Sequence, residues 1–408
     1  MRTAPLLPAL VALVTCLAGS VAQAADSAIR VQCPTSTDLH PDGDGIVCKH
    51  LTAGDGMVTM ADDNATPMYV FGFSELPTGG PTANSSEYPG WVMEQGLLAA
   101  SIPAPTLVFD EDDEVFLTVT NVGMAMRPDL FDPHSIHWHG FPQASAIFDG
   151  VPDASVSVNM GASLSYYYLA NDAGTYMYHC HVEATEHMQM GMLGQLYVRP
   201  RQNRLDDGAD LDGFTHHSGY TYVFNDGDGS TYYDVEVPIQ LGSFDPTFHD
   251  ASFNVQPLPF RGMRDTYFLL NGRGYPDTVN TAALSTVDPL GTTHASQGVS
   301  SLIEATTGQK ILLRISNLNV TRFNTLATNG LPMQVVGRDG RILRDDADEN
   351  LYFQTNSVTL GGGQSYDVII DTTGLTGTYF LYTTNLQNLS NDDENFGGMM
   401  TEIRISAT

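Results

Sequence analysis

The chain has 408 residues, with 17 Lys+Arg against 47 Asp+Glu, a formal charge of −30, 12 His and 4 Cys. That length suits two or three domains with cores of their own, and 42% hydrophobic content with 39 Gly and 22 Pro excludes a disordered polymer or a polytopic membrane protein. So acidic a surface argues against a nucleic-acid partner, since neutralising phosphates needs cations, and favours cationic partners or a saline medium.

Residues 1–24 read as an export signal: Arg2, an apolar run from Leu6 to Leu17, then Ala22-Gln23-Ala24 as a small-x-small cleavage site. The run is too short to span a bilayer comfortably and no later stretch is long and apolar enough, so no membrane span is expected. Thr15 before Cys16 disfavours lipid attachment there. An exported chain, periplasmic or extracellular, meets oxidising conditions, which suits a disulfide between Cys33 and Cys48 in an N-terminal extension, 25–66. Between them, PDGDG with Asp38, Asp42 and Asp44 lacks the spacing of a calcium loop and reads as a turn. Cys180 is left unpaired, as an inert buried thiol, an interchain bridge or a metal ligand.

Its neighbours bear on that choice. Residues 67–200 form a first domain of short β-branched and aromatic runs such as FLTVTNV and SLSYYYL, and within it stand HSIHWHG, with His134, His137 and His139, and GTYMYHCHVEATEHMQMGM. The second motif holds His179, Cys180, His181, His187 and Met192. Two His, one Cys and one Met are the donors of a blue-copper electron-transfer centre. In a strand, alternate residues face opposite ways, so Cys180 can serve one face while His179 and His181 serve the other. Met188 and Met190, like Met124 and Met126, read as packing near the site.

A polar linker, 201–218, leads to a second domain, 219–408, that repeats the first in degenerate form. GTYFLYTTN reproduces GTYMYHCHV, placing Tyr382, Thr383 and Thr384 where His179, Cys180 and His181 stand; Asn324, Ala327 and Asn329 replace the three histidines of HSIHWHG. Within it ENLYFQ, 349–354, matches the target of a tag-removing protease, but the flanking sequence reads as native. The expected fold is all-β, two Greek-key sandwiches with copper ligands only in the first.

The two motifs resemble those of multicopper oxidases, a group that includes laccases and two-domain bacterial copper oxidases, with copper nitrite reductases as relatives. The resemblance implies cupredoxin-like domains and copper as the cofactor. It assigns His134, Cys180, His187 and Met192 to a type 1 copper, with electrons entering near the His187 edge. His137, His139, His179 and His181 fall to a type 2/type 3 oxygen-reducing cluster. DGVPDASVSVNMG also matches a segment of the family, which makes Asp149 a candidate proton relay; a turn-forming Asp before Gly150 explains it equally well. The implied activity is one-electron oxidation of phenols, aromatic amines, metal ions or another cationic donor, with dioxygen as acceptor.

One departure is central. The family's trinuclear cluster takes eight histidines from two domains, and this chain supplies four; His40, His50, His216, His217, His249 and His294 form no HxH pair. Three arrangements follow: first domains of two subunits meeting in a homo-oligomer, four imidazoles holding one or two coppers with an open position as in a reductase-like site, or a type 1 centre alone in a non-enzymatic electron carrier.

Overall fold

The computed structural model describes residues 27–62, 67–142 and 145–407. The export signal lies outside the described residues. The architecture is mostly β, in two sandwiches that share one plan. In the first, β1 (Ile46–Thr59) pairs antiparallel with β2 (Pro67–Glu75) and parallel with β4 (Asp113–Gly123), which in turn pairs with β6 (Ser163–Ala170). The facing sheet runs β3 (Ala104–Asp110), β8 (Leu193–Arg199), β7 (Gly174–His179) and β5 (His137–His139). Its core comes from alternate positions, Val115, Leu117 and Val119 on β4 against Trp138, Tyr176 and Tyr178 opposite.

The second sandwich repeats this order strand by strand. Tyr267–Leu270, Val235–Phe244, Lys310–Asn317 and Gln364–Asp371 stand as β2, β1, β4 and β6 do, with the same parallel and antiparallel senses. Ile303–Thr306, Met400–Ser406, Gly377–Thr383 and Asn324–Thr328 stand as β3, β8, β7 and β5 do. The match corrects one boundary expected from sequence. The segment 25–66 is not wholly an extension outside the first sandwich, because β1 lies inside its sheet; Gly54, Asp55 and Gly56 weaken the strand signal there. The expected disulfide, Cys33–Cys48, ties the preceding loop to β1. The linker carries its own short hairpin, Asp210–Leu211 against Phe214–Thr215, and a buried His216. No described helix is long and apolar enough to cross a membrane.

Period-two alternation on β7 sets the relation between the sandwiches. Tyr176, Tyr178 and then Cys180 turn into the first core, while Thr175, Met177 and His179 turn towards the second sandwich. Thr175 donates to Asp367 at 2.5 Å, and Ser365 donates to the Thr175 carbonyl at 2.7 Å. Arg314, fully buried beneath the Tyr197 ring, reaches Glu236 at 2.8 Å and Asp367 at 3.3 Å, and Arg199 joins from the first sandwich. Burial alone would raise Glu236, but Arg314 and Arg199 overcome it and hold the carboxyl down to about 2.

A depressed acid contributes stability that is complete above its unfolded value and is lost as pH falls through the folded one. Thermal stability of the native chain is therefore expected to fall steadily from pH 4.5 towards 2. Asp367, by contrast, is raised by its burial and does not carry this dependence. Glu236→Gln is expected to flatten that acid limb and to cost about 3 kcal/mol at neutral pH, by leaving Arg314 short of a partner. An acid limb unchanged in the variant would assign it to other carboxylates.

Candidate metal centre

Two groups of metal-capable side chains converge among the described residues: His134, Cys180 and His187, and His137, His139 and His179. The first is sealed in the core of the first sandwich. Cys180 follows β7 directly, and helix α1 (Ala184–Met190) returns His187 to it; Gly191, at φ 117°, ends that helix and lets the chain double back. The Met192 amide donates to the His187 carbonyl at 2.8 Å, and the Cys180 amide to the Met192 carbonyl at 3.1 Å, so backbone bonds fix three of the expected ligands in one loop. His134 enters from the segment that leads into β5, its backbone paired with Val158.

Cys180 Sγ lies 3.1 Å from His187 Nδ1 and 3.9 Å from His134 Nδ1, and it also accepts the Ser135 amide at 3.4 Å. Metal bonds of about 2.0 Å to nitrogen and 2.3 Å to sulfur imply N to S separations of roughly 3.4–3.7 Å. The observed pair brackets that range, and the donor set is the thiolate and two imidazoles that suit copper. Burial would raise the Cys180 thiol, but His187 and His134 bring it down to about 5. Burial would lower His187, yet the Cys180 and Asp132 charges hold it well above the ordinary histidine value. These neighbours favour a thiolate beside positive charge. Met192 is fully buried.

Asp132 was not anticipated from sequence. Its Oδ2 lies 3.2 Å from His187 Nε2, too obliquely aligned for a hydrogen bond. The FDPHS spacing, two residues before His134, was the available signal. Asp132 also lines a cavity of about 370 Å³ with Arg127, Glu183, Glu186 and the segment 252–258 of the second half. Burial there raises Glu186 to about 7.

The second group sits on the outward face. On β5, Trp138 turns inward and stacks on Tyr168 at 3.7 Å, so His137 and His139 turn outward. His137 pairs in register with His179, and the His181 ring lies 5.2 Å from His137 and 5.4 Å from His179. All four expected imidazoles are brought together. His137 Nδ1 donates to the Asp149 carbonyl at 2.7 Å, with Asp149 Oδ1 3.2 Å away, and His179 Nδ1 donates to the Cys180 carbonyl at 2.8 Å. Those bonds fix the tautomer and leave Nε2 with the lone pair a metal needs. Burial lowers His179 to about 3 and lowers His139 as well, which favours the uncharged imidazole at both.

The chain's own second half faces this nest. Leu318–Phe323, Gly362 and Gly363 wall a cavity of about 550 Å³ with His139, His179, His181 and Met188, and they bring no imidazole. Met188 thus borders the nest, whereas Met190 is core packing. The remaining six histidines stand elsewhere: His40 on the Asp112 carbonyl, His50 between Tyr88 and Thr120, His216 on Tyr222, His217 on Asp207, His249 between the Tyr69 and Gln189 carbonyls, His294 on Asp288.

Gly363, at φ +85°, presses its backbone on His139, and a Cβ there would stand 2.5 Å from Nε2. Gly363→Ala is expected to cost about 1–2 kcal/mol in backbone strain and to weaken metal binding at the nest while leaving the Cys180 centre intact. Copper titration followed by total metal and by visible absorption separates the two sites. Equal loss at both would mean that Gly363 acts on the fold at large.

A family model described as multicopper oxidase matches residues 91–203, and a second of the same description matches 251–401, together more than half of the chain. Multicopper oxidase MCE of Talaromyces pinophilus is 38% identical over 103 residues, 25% of this chain and 16% of that protein. Laccase-1 of Emericella nidulans is 36% identical over 109 residues, again 25% and 16%. The chain therefore spans only a small part of these curated relatives. The blue copper oxidase from Nitrosomonas europaea shares the fold with a TM-score of 0.60 at 23% identity, covering 87% of this chain and 85% of that one. The copper nitrite reductase of the same organism does so at 0.54 and 15%, covering 88% and 94%.

Proposed function

Because this chain belongs to the multicopper oxidase family, we propose that it is a copper-dependent oxidoreductase that accepts single electrons at the His187 face and delivers them to dioxygen at the nest of His137, His139, His179 and His181. The observation that carries this reading is the position of Cys180. Its sulfur meets His187 and His134 on one side, while its chain neighbours His179 and His181 join the nest on the other. Copper held by these residues would supply one-electron chemistry, its potential set by the thiolate and by Met192. Asp132 places a carboxylate 3.2 Å from the outer nitrogen of His187, and Asp149 stands beside His137, where a carboxylate can hand on protons. The Cys33–Cys48 disulfide supports an exported setting.

The donor we favour is a cation, ferrous or manganous ion or a basic redox protein. The cavity carries Asp132 and Glu183, with Glu186 adding its charge as pH rises through about 7, against a single Arg127, on a chain of net charge −30. Replacing both, Glu183→Gln with Glu186→Gln, is expected to raise KM for ferrous ion roughly fivefold, about 1 kcal/mol, and to leave KM for a neutral phenol nearly unchanged. Equal effects on both donors would remove charge from the account of selectivity.

A second reading, an electron carrier without oxidase activity, draws on the missing imidazoles across the nest. The chain's own second half already faces the nest, so we favour a nest that works with its own four imidazoles over a cluster completed in a homo-oligomer. Copper per chain, oxygen uptake with phenol and ferrous donors, and solution mass decide. The oxidase reading requires more than one copper per chain with oxygen consumption. A single copper without uptake supports the carrier, and activity confined to an oligomer restores the intersubunit cluster.

A further inference from the structure

The second sandwich contains a residue-by-residue counterpart of the Cys180 site, and this inference does not depend on the oxidase reading. In the first sandwich His137 pairs with His179, His134 lies three residues before that pair and Cys180 one residue after it. In the second, Ala327 pairs with Tyr382, so Asn324 takes the place of His134 and Thr383 that of Cys180. The backbone bonds of the ligand loop recur as well. The Thr383 amide donates to the Met399 carbonyl at 3.0 Å, as Cys180 does to Met192 at 3.1 Å. The Met399 amide donates to the Asn388 carbonyl at 3.0 Å, as Met192 does to His187 at 2.8 Å. Asn388 is thus the counterpart of His187, and Met399 that of Met192. Sequence spacing hides both, because the loops differ in length.

Burial follows the same map. Asn324, Thr383, Asn388 and Met399 are each at most 2% exposed. Both amide atoms of Asn324 and the Oδ1 of Asn388 have no hydrogen-bond partner, at the two positions where the first sandwich places metal-facing imidazoles. Unpartnered buried amides of this kind cost about 1–3 kcal/mol each. Here they stand where the backbone is shaped for other donors.

We propose that Asn324, Thr383, Asn388 and Met399 line a second, preformed type 1-like cradle, which takes a copper ion once imidazole and thiolate donors are returned to it. Met399 already supplies the thioether, and the loop bonds already set the remaining three positions. With its native amides and hydroxyl the cradle offers only weak, neutral donors, so the wild-type chain holds no copper there.

The test is the variant Asn324→His/Thr383→Cys/Asn388→His made in full-length Cys180→Ser protein, so that any thiolate-to-copper absorption arises in the second half. The expected result is one copper more per chain than in the Cys180→Ser parent, with an intense visible band the parent lacks. A variant that keeps the parent's circular dichroism and melting profile but gains no copper overturns the proposal. Hydrogen exchange on the unaltered chain tests the preformed loop without any substitution. The amides of Thr383 and Met399 are expected to be protected as strongly as those of Cys180 and Met192, and rapid exchange at both overturns the proposal even if the variant does not fold.

Discussion

Cys180→Ser is expected to abolish the visible absorption of copper-loaded protein and, with it, oxidation of every donor. The thiol is fully buried and brought down to about 5 by His187 and His134, an environment that favours the thiolate a soft metal takes. A serine hydroxyl in its place stays protonated and is a poor partner for copper. Changes to groups outside the donor set commonly cost about 10–100-fold in metal affinity or activity, and loss of the thiolate itself is expected to exceed that. The fold should tolerate the change, since the loop is held by the Cys180, Met192 and His187 backbone bonds rather than by sulfur. Copper in the imidazole nest is expected to remain, which metal analysis of the colourless protein would show. A variant that keeps both colour and turnover would mean that Cys180 is an ordinary buried thiol.

The chemistry of this chain was more legible than its wiring. HSIHWHG and HCH carry their meaning in local spacing, because a strand's two-residue period sends Cys180 inward and its flanking histidines outward whatever surrounds them. The structure places those residues accordingly. The repeat was also legible, because GTYFLYTTN keeps the β pattern of GTYMYHCHV after its donors are gone. Other features depend on contacts between distant parts of the chain. Nothing local announces that Gly363 presses on His139, or that Leu318–Phe323 walls the nest. Asp132 has its effect only because helix α1 brings His187 back to it. Asn388 and Met399 were missed for a related reason. Their equivalence to His187 and Met192 lies in backbone hydrogen bonds, and those are conserved across loops of unequal length.

Removing both paired imidazoles of the nest, His137→Ala with His179→Ala, is expected to separate the two halves of the proposed reaction. The pair lies in register on β5 and β7, and each Nδ1 is already committed, to the Asp149 carbonyl at 2.7 Å and the Cys180 carbonyl at 2.8 Å. Both side chains can therefore present only Nε2 to a metal, and no other described residue can replace them, because the facing segments carry no imidazole. Colour at the Cys180 site is expected to persist, since His134, His187 and Met192 are untouched. A reducing donor should bleach that colour normally, but oxygen uptake should fall to background. Asp149→Asn gives the complementary outcome: its carbonyl still orients His137, so the metal stays, while turnover loses its dependence on the carboxylate and its pH profile shifts. If the double variant still consumed oxygen at the native rate, reduction would have to occur away from this nest, and the short link from Cys180 to His179 and His181 would be a feature of the fold rather than an electron route.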